Sequence, residues 1–329
     1  MTNYDEMTQK LNQSGAFLQV HVLNELKKRN WDTEIETPRI VAPFIQNPVK
    51  LRDLLNRGDS NRINADEFPH AVSLSQDHVN KEELSLDIYA GNKKQFGFLR
   101  LVIEVKKKNP DYVDWCFLQL EKKKEPMRVI NKSINAAHGY PTLFHVGETT
   151  RYGNELFVQI DQFPQWTYLK KEVSDFAIAL KEKKVGKEYY KSEKTEIDRS
   201  VIQILKGLYG TINEHVIHQV VSGKGYDNLP DIYIPIIVTN ANLFLVDFDP
   251  NDINDETGQI SKNPNYISVN SIIYEYPTPK TIQYPEPLNA QLNEISRLRL
   301  LKSQVLIMNT KGFSEFLSEI ESIPDVNMK

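Results

Sequence analysis

The chain has 329 residues, enough for one large domain or two ordinary ones, because a single core above about 250 residues tends to divide. Apolar residues at 40% and charged residues at 26% are ordinary globular values, and the single cysteine, Cys116, excludes an intrachain disulfide framework and paired-thiolate zinc sites. The net charge of −4 gives no global footprint of a nucleic-acid binder. The polar start MTNYDEMTQKLNQSG and the lack of any apolar run near the about 20 residues of a membrane helix place the expected location in the cytosol.

In chain order, the first clear element is GAFLQVHVLNELKKRN, residues 15–30. Ser14 can cap a helix there, Ala16, Val20, Leu23 and Lys27 recur at helical spacing, and Gln19, Leu23 and Leu26 form an adjoining stripe. TEIETPRIV, ending at Val41, reads as a strand with Pro38 at an edge or bulge. Residues 44–80 show no sustained period and read as a long loop or insertion. Two strands follow. LSLDIYA puts Leu84, Leu86, Ile88 and Ala90 on one face and Ser85, Asp87 and Tyr89 on the other. FLRLVIEVK puts Leu99, Leu101, Ile103 and Val105 opposite Arg100, Val102, Glu104 and Lys106. GNKK between them is turn chemistry, so a hairpin is expected.

Residues 111–138 read as helical, 141–146 as a strand, TTRYGN as a turn and 155–160 as a strand. The lysine-rich stretch 169–194 reads as an exposed helix. A strong amphipathic helix is expected over 195–221, with Ile197, Val201, Ile204, Leu205 and Leu208 at core spacing. Two apolar β-rich runs span Tyr233 to Phe248, residues 249–285 read as irregular, SQVLIMN as a buried strand and GFSEFLSEIESI as a closing helix. The expected architecture is an α/β chain with a mixed central sheet flanked by helices. It forms one elaborated domain over 1–329, with its core at about 15–108 and 195–322 and an insertion at about 110–190.

The chemistry gathers on the two early strands. Glu104 and Lys106 are two residues apart in a strand, so both side chains point the same way, and Asp87 can converge on them if the strands pair. Two carboxylates suit a hard cation such as Mg²⁺, or Mn²⁺, bound with waters and substrate phosphate oxygens, and the Val105 carbonyl can supply a further oxygen. Such a metal lowers the pKa of a bound water, and Lys106 can hold or deprotonate that water or neutralise charge on the phosphorus oxygens. Lysines are concentrated in the first part of the chain. Residues 1–194 carry 30 Lys+Arg against 27 Asp+Glu, a balance of +3, and residues 195–329 carry 10 against 17, a balance of −7. The run at 106–108 abuts the site, so Lys107 and Lys108 are read as phosphate-tracking residues.

LSLDIYA followed by a short turn and LRLVIEVKKK resembles the PD-(D/E)XK, or restriction-endonuclease-like, nuclease superfamily. The resemblance implies a restriction-endonuclease-like core, with metal held by Asp87 and Glu104 and water activated with Lys106. It also implies a further contact from the preceding helix, either Gln19 or Glu25, and a glutamine from the helix after the catalytic strand, Gln203. Leu86, not proline, precedes Asp87. The activity implied is a Mg²⁺-dependent endonuclease on DNA, in a prokaryotic or phage restriction or defence setting. RNA as substrate stays open, and a homodimer is compatible but not indicated. The rival from another class is a non-catalytic nuclease-fold protein that binds nucleic acid or a partner protein.

Glu-x-Lys alone is cheap, since Glu121-Lys122-Lys123 and Glu182-Lys183-Lys184 occur in charged segments. Glu104 differs by closing an apolar strand, where an unpaired acid is costly. The bland reading is a surface salt bridge of Lys106 with Glu104 or Asp87. His215 and His218 stand at i, i+3 and read as surface histidines, and His21, His138 and His145 have no catalytic partner in sequence. No G-x-x-x-x-G-K-[ST] loop and no G-x-S-x-G elbow occurs, and Asp247 and Asp249 read as solvated loop acids.

Overall fold

The computed structural model describes residues 4–40, 57, 83–94, 97–107, 114–119, 124–131, 142–145, 168, 170–182, 189–191, 195–222, 231–279 and 302–322. Two helices open the chain, α1 (Tyr4–Ser14) and α2 (Ala16–Lys28), followed by β1 (Asp32–Ile40), β2 (Glu83–Lys94) and β3 (Gly97–Lys106). Next come β4 (Asp114–Leu118), β5 (Lys124–Pro126), β6 (Arg128–Asn131), β7 (Thr142–His145), β8 (Lys170–Ser174), β9 (Phe176–Glu182) and β10 (Tyr189–Lys191). The long helix α3 (Thr195–Ser222) leads to β11 (Asp231–Thr239), β12 (Asn242–Asp247), β13 (Asn265–Val269), β14 (Ser271–Pro277), β15 (Lys302–Asn309) and the closing helix α4 (Thr310–Glu321).

These strands build two sheets. The larger is mixed and ten-stranded, with the order β1-β2-β3-β11-β15-β14-β8-β5 and with β6 on β11 and β7 on β6. The expected hairpin is present, but it keeps pairing as far as Lys94 opposite Gly97, so GNKK belongs to β2. β1, β2 and β3 form an antiparallel meander, and α3 then returns the chain so that β11 lies parallel to β3, from Asp231 beside Phe98 to Thr239 beside Lys106. A parallel neighbour requires such a crossover, and a strand covered on both faces reads as a continuous apolar run. DIYIPIIVT of β11 is buried at every position.

Two apolar layers sandwich the larger sheet. On one face α2 and α4 bring Val22, Leu26, Phe313 and Leu317 onto Ile88, Leu101, Ile103 and Ile236. On the other, α3 brings Val201, Ile204, Leu205 and Leu208 onto Leu86, Val102 and Ile237, with Trp115, Phe117 and Leu243 of the second sheet in the same cluster. The buried side of α2 is the stripe Val22, Leu23 and Leu26, whereas Val20 is exposed, because the sheet meets the helix on the Leu23 side. Ser14 ends α1 rather than capping α2. Gly15 takes the N-cap position at φ 82, and the Ser14 hydroxyl accepts from the Ala16 N–H. Among the described residues no helix is long and apolar enough to cross a membrane.

The second sheet runs β10-β9-β4-β12-β13 and corrects the helical readings of 111–138 and 169–194. WCFL and FAIAL alternate, with Trp115, Phe117, Ala177 and Ala179 facing the core. The lysines that suggested a solvated helix flank that short apolar run without belonging to it. Part of the stretch read as irregular also pairs, because YISV and SIIYEY supply β13 and β14 from 249–285. The expected strand at 155–160, the turn TTRYGN and, apart from Arg57, the loop 44–80 lie outside the described residues.

Candidate active site

Asp87 marks a fork between β2 and β3. Their register is regular from Lys94 opposite Gly97 to Ile88 opposite Ile103. One step further, the Asp87 carboxylate takes the Val105 backbone N–H at 2.7 Å, and the Asp87 carbonyl accepts from the Gln19 side chain of α2 at 3.2 Å. The expected alternation of β2 also breaks here. Ile88 and Ala90 face the α2 layer, but Leu86 faces α3 together with Tyr89, three residues away. A regular strand would set residues three apart on opposite faces. Across the β1 ladder, Glu36 occupies the matching position between Ile35 and Thr37, with a left-handed backbone at φ 48.

Glu104 lies on the α3 face of β3, beside Ile237 of β11, and its side chain is 0% exposed. Lys106 donates from Nζ to Glu104 Oε1 at 2.5 Å and to Gln203 Oε1 of α3 at 3.2 Å. The other Glu104 oxygen, Oε2, is buried and receives no N–H donor, and Glu104 makes a side-chain hydrogen bond with Asp87 that requires a proton between the two carboxyls. The Asp87 carboxylate is its electrostatic neighbour. Burial first, and then the Asp87 charge, push Glu104 up to about 8 against the pull of Lys106. Asp87 is also raised, by burial first, while its bond from Val105 and the charge of Lys106 work the other way. Two carboxylates that face each other in an apolar wall need a proton or a cation between them.

The residues present fit a small hard cation. Asp87 and Glu104 offer carboxylate oxygens, one of them without an N–H donor. The Val105 carbonyl points to the same side of its strand as the Val105 N–H, because one residue in a ladder directs both groups to the same neighbour. That side is the Asp87 fork. Mg²⁺ needs no more protein than this, since it keeps several waters and binds through one or two carboxylates. Among the described residues no group of three or more His, Cys, Asp or Glu side chains is placed to hold a metal ion, so the fit rests on the two carboxyls and the Val105 carbonyl.

The structure brings together Asp87, Glu104, Lys106, Gln19 and Gln203. It does not bring in Glu25, which binds Lys28 at 3.1 Å, Arg29 at 2.8 Å and Ser314 of α4 at 3.3 Å, tying α2 to α4. Lys107 follows the site, near the start of α2, where a Cβ added to Gly15 would meet the Lys107 Cβ at 3.4 Å. Lys108 lies outside the described residues. Glu36 was not singled out in the sequence, yet its charge adds to the raising of Asp87. On a polar edge strand it reads as a solvated acid, and only the β1–β2 register sets it beside Asp87.

His215 corrects the surface reading. It is partly buried, its Nδ1 lies 2.6 Å from the Tyr233 hydroxyl, and its ring meets Tyr89 edge-on at 5.4 Å. Tyr89 also accepts from Arg100 at 2.6 Å, and Arg100 binds Asp231 at 2.7 Å, so these groups satisfy one another between α3 and the sheet. Nothing about His218 falls within the described side chains. No family model matches the chain, and comparisons with curated proteins and with solved structures return no match.

Proposed function

We propose that this chain is a Mg²⁺-dependent phosphodiesterase, an endonuclease acting on DNA. The observation that carries the reading is the buried Glu104 carboxyl, held by Lys106 and set against Asp87 with only a shared proton between the two acids, where a cation would take the proton's place. A surface salt bridge accounts poorly for this, because exposed pairs leave both partners in water and Glu104 is fully covered. Removing a carboxylate from water without compensating contacts is unfavourable, so an acid kept there needs a reason in function.

Chain order adds support for the resemblance to PD-(D/E)XK nucleases. Asp87 stands on the second strand of the meander, Glu104 and Lys106 on the third, with α2 before them and α3 after. The DNA substrate and the restriction or defence setting rest on that resemblance alone.

Asp87, Glu104 and the Val105 carbonyl would hold the metal, which when bound polarises the phosphodiester and makes a coordinated water more acidic. Lys106 has three N–H donors. Glu104 and Gln203 engage two, which leaves one for the attacking water or for a phosphate oxygen as charge develops on it. Gln203 therefore aims Lys106, and Gln19 fixes the backbone that carries Asp87. The test is supercoiled plasmid incubated with Mg²⁺, with Mn²⁺ or with EDTA, with Glu104→Ala beside the natural chain. Nicking or linearisation that needs the metal and is absent in Glu104→Ala is expected. Intact plasmid in every lane, with DNA still bound, would favour a non-catalytic nuclease-fold binder.

A further inference from the structure

β13 is an outer strand of the second sheet, and among the described residues it pairs with β12 alone. An exposed edge is a template for another strand, and proteins that leave one in water usually blunt it with charge, proline or a bulge. NYISV of β13 carries no charge and no proline. Its large side chains are exposed on both faces. Tyr266 is 53% exposed, and Ile267, across from Leu245 on the opposite face, is 40% exposed.

Beside Tyr266 the outer face of the sheet opens into a cavity of about 300 Å³ whose wall includes Leu118, Ile178, Val246, Ile253 and Ile260. Ile253 and Ile260 come from the loop that precedes β13, and each is 38% exposed. The same loop fixes the sign of the site. Residues 248–262 hold Asp249, Asp252, Asp255 and Glu256 against one cation, Lys262, which is bound to Asp252 at 2.7 Å. Asp247, read in the sequence as a solvated loop acid, instead ends β12 and is partly buried. Asp249, Asp255 and Glu256 are exposed.

We propose that β13 and this cavity dock an extended apolar segment of a partner protein, flanked by lysine or arginine, which adds to the sheet as a further strand. Main-chain hydrogen bonds to β13 would supply affinity, successive apolar side chains falling on the two faces in turn would cover Tyr266 on one and Ile267 on the other, and the basic flanks would face the acidic loop. A second copy of the chain suits the edge less well, because it would bring an equally acidic loop to it. The proposal is independent of the nuclease reading.

The test uses the full chain and a fluorescent synthetic peptide of alternating valine and threonine flanked by lysines, beside the same peptide flanked by glutamates. Anisotropy should show saturable binding of the lysine-flanked peptide only. Asp255→Lys with Glu256→Lys should weaken it by about tenfold. Ile267→Lys, on the exposed edge, should weaken it similarly while the melting temperature stays unchanged. Failure of the lysine-flanked peptide to bind, equal binding of both peptides, or indifference to these substitutions would overturn the proposal. So would a concentration-dependent dimer that Ile267→Lys dissolves, because the edge would then belong to a second copy.

Discussion

Glu104 and Lys106 carry different halves of the proposed chemistry, so their substitutions separate. Lys106→Ala leaves both carboxylates and the Val105 carbonyl in place, and it should abolish cleavage while metal and DNA binding persist. Glu104→Ala should lose metal affinity as well as cleavage. It can also bind DNA more tightly in EDTA, since one negative charge near the phosphate is gone. Cleavage and gel-shift affinity measured on both variants check this, and full activity in Lys106→Ala would end the case for its role. The raised Glu104 carboxyl also predicts a pH dependence in metal-free protein. Its ordinary value is 4.5 and its folded value about 8. Below 4.5 both states hold the proton. Between 4.5 and 8 the unfolded chain gives it up and the folded chain keeps it, so stability falls as pH rises through that window and levels off above it. Glu104→Gln should flatten this slope and raise stability at pH 8 by on the order of 2 kcal/mol, less than the whole shift would imply because Asp87 shares the proton. Urea unfolding in EDTA across the window tests it, and parallel curves for the two proteins would refute it.

At the scale of elements, the site depends on how closely α3 approaches β2. Gly207 makes that approach possible: a Cβ there would lie 2.2 Å from Leu86 Cδ2 and 2.8 Å from its Cγ, with Leu86 fully buried. Gly207→Ala gains about 1 kcal/mol of helix propensity but overpacks the core, which typically costs about 1–3 kcal/mol. The expected result is a net loss of stability, together with reduced cleavage, because Gln203 lies one turn away on the same helix and would shift from Lys106. A more stable and fully active Gly207→Ala would show that Leu86 yields freely. This contact illustrates what the sequence could reveal. The period of 195–221 made α3 and its buried residues legible, and alternation made β3 and the shared face of Glu104 and Lys106 legible. Alternation failed at Leu86, because the fork depends on the neighbouring β1 strand and on Asp87 bonding to Val105. Neither leaves a mark in a local pattern. The strands of the second sheet were hidden for a related reason. They are short and flanked by lysines, and β4 becomes a strand by pairing with β12, far along the chain, with β9 and then β10 added beyond it. Glu36 was hidden in the same way, since only tertiary register gives it a neighbour.

For the whole molecule, the question is whether the fold depends on the metal. The fork has protein contacts of its own: Val105 on Asp87, Lys106 on Glu104 and Gln203, and Gln19 on the Asp87 carbonyl. The two apolar layers stand on either side of the larger sheet and are built from hydrophobic side chains. Metal should therefore stabilise the chain only by mass action. At a free Mg²⁺ concentration ten times its dissociation constant, that amounts to about 1.4 kcal/mol. A chain of this size moves by about 1–2 °C per kcal/mol, so transfer from Mg²⁺ to EDTA should lower the melting temperature by only a few degrees. Mn²⁺ should act like Mg²⁺. Zn²⁺ should have no structural role, because the described residues offer no soft ligand set. Glu104→Ala should lose the Mg²⁺-dependent increment. Thermal melts of both proteins in Mg²⁺, Mn²⁺, Zn²⁺ and EDTA measure all of this. A collapse of the natural chain on chelation would mean that a metal holds the fold together, which the contacts at the fork give no reason to expect.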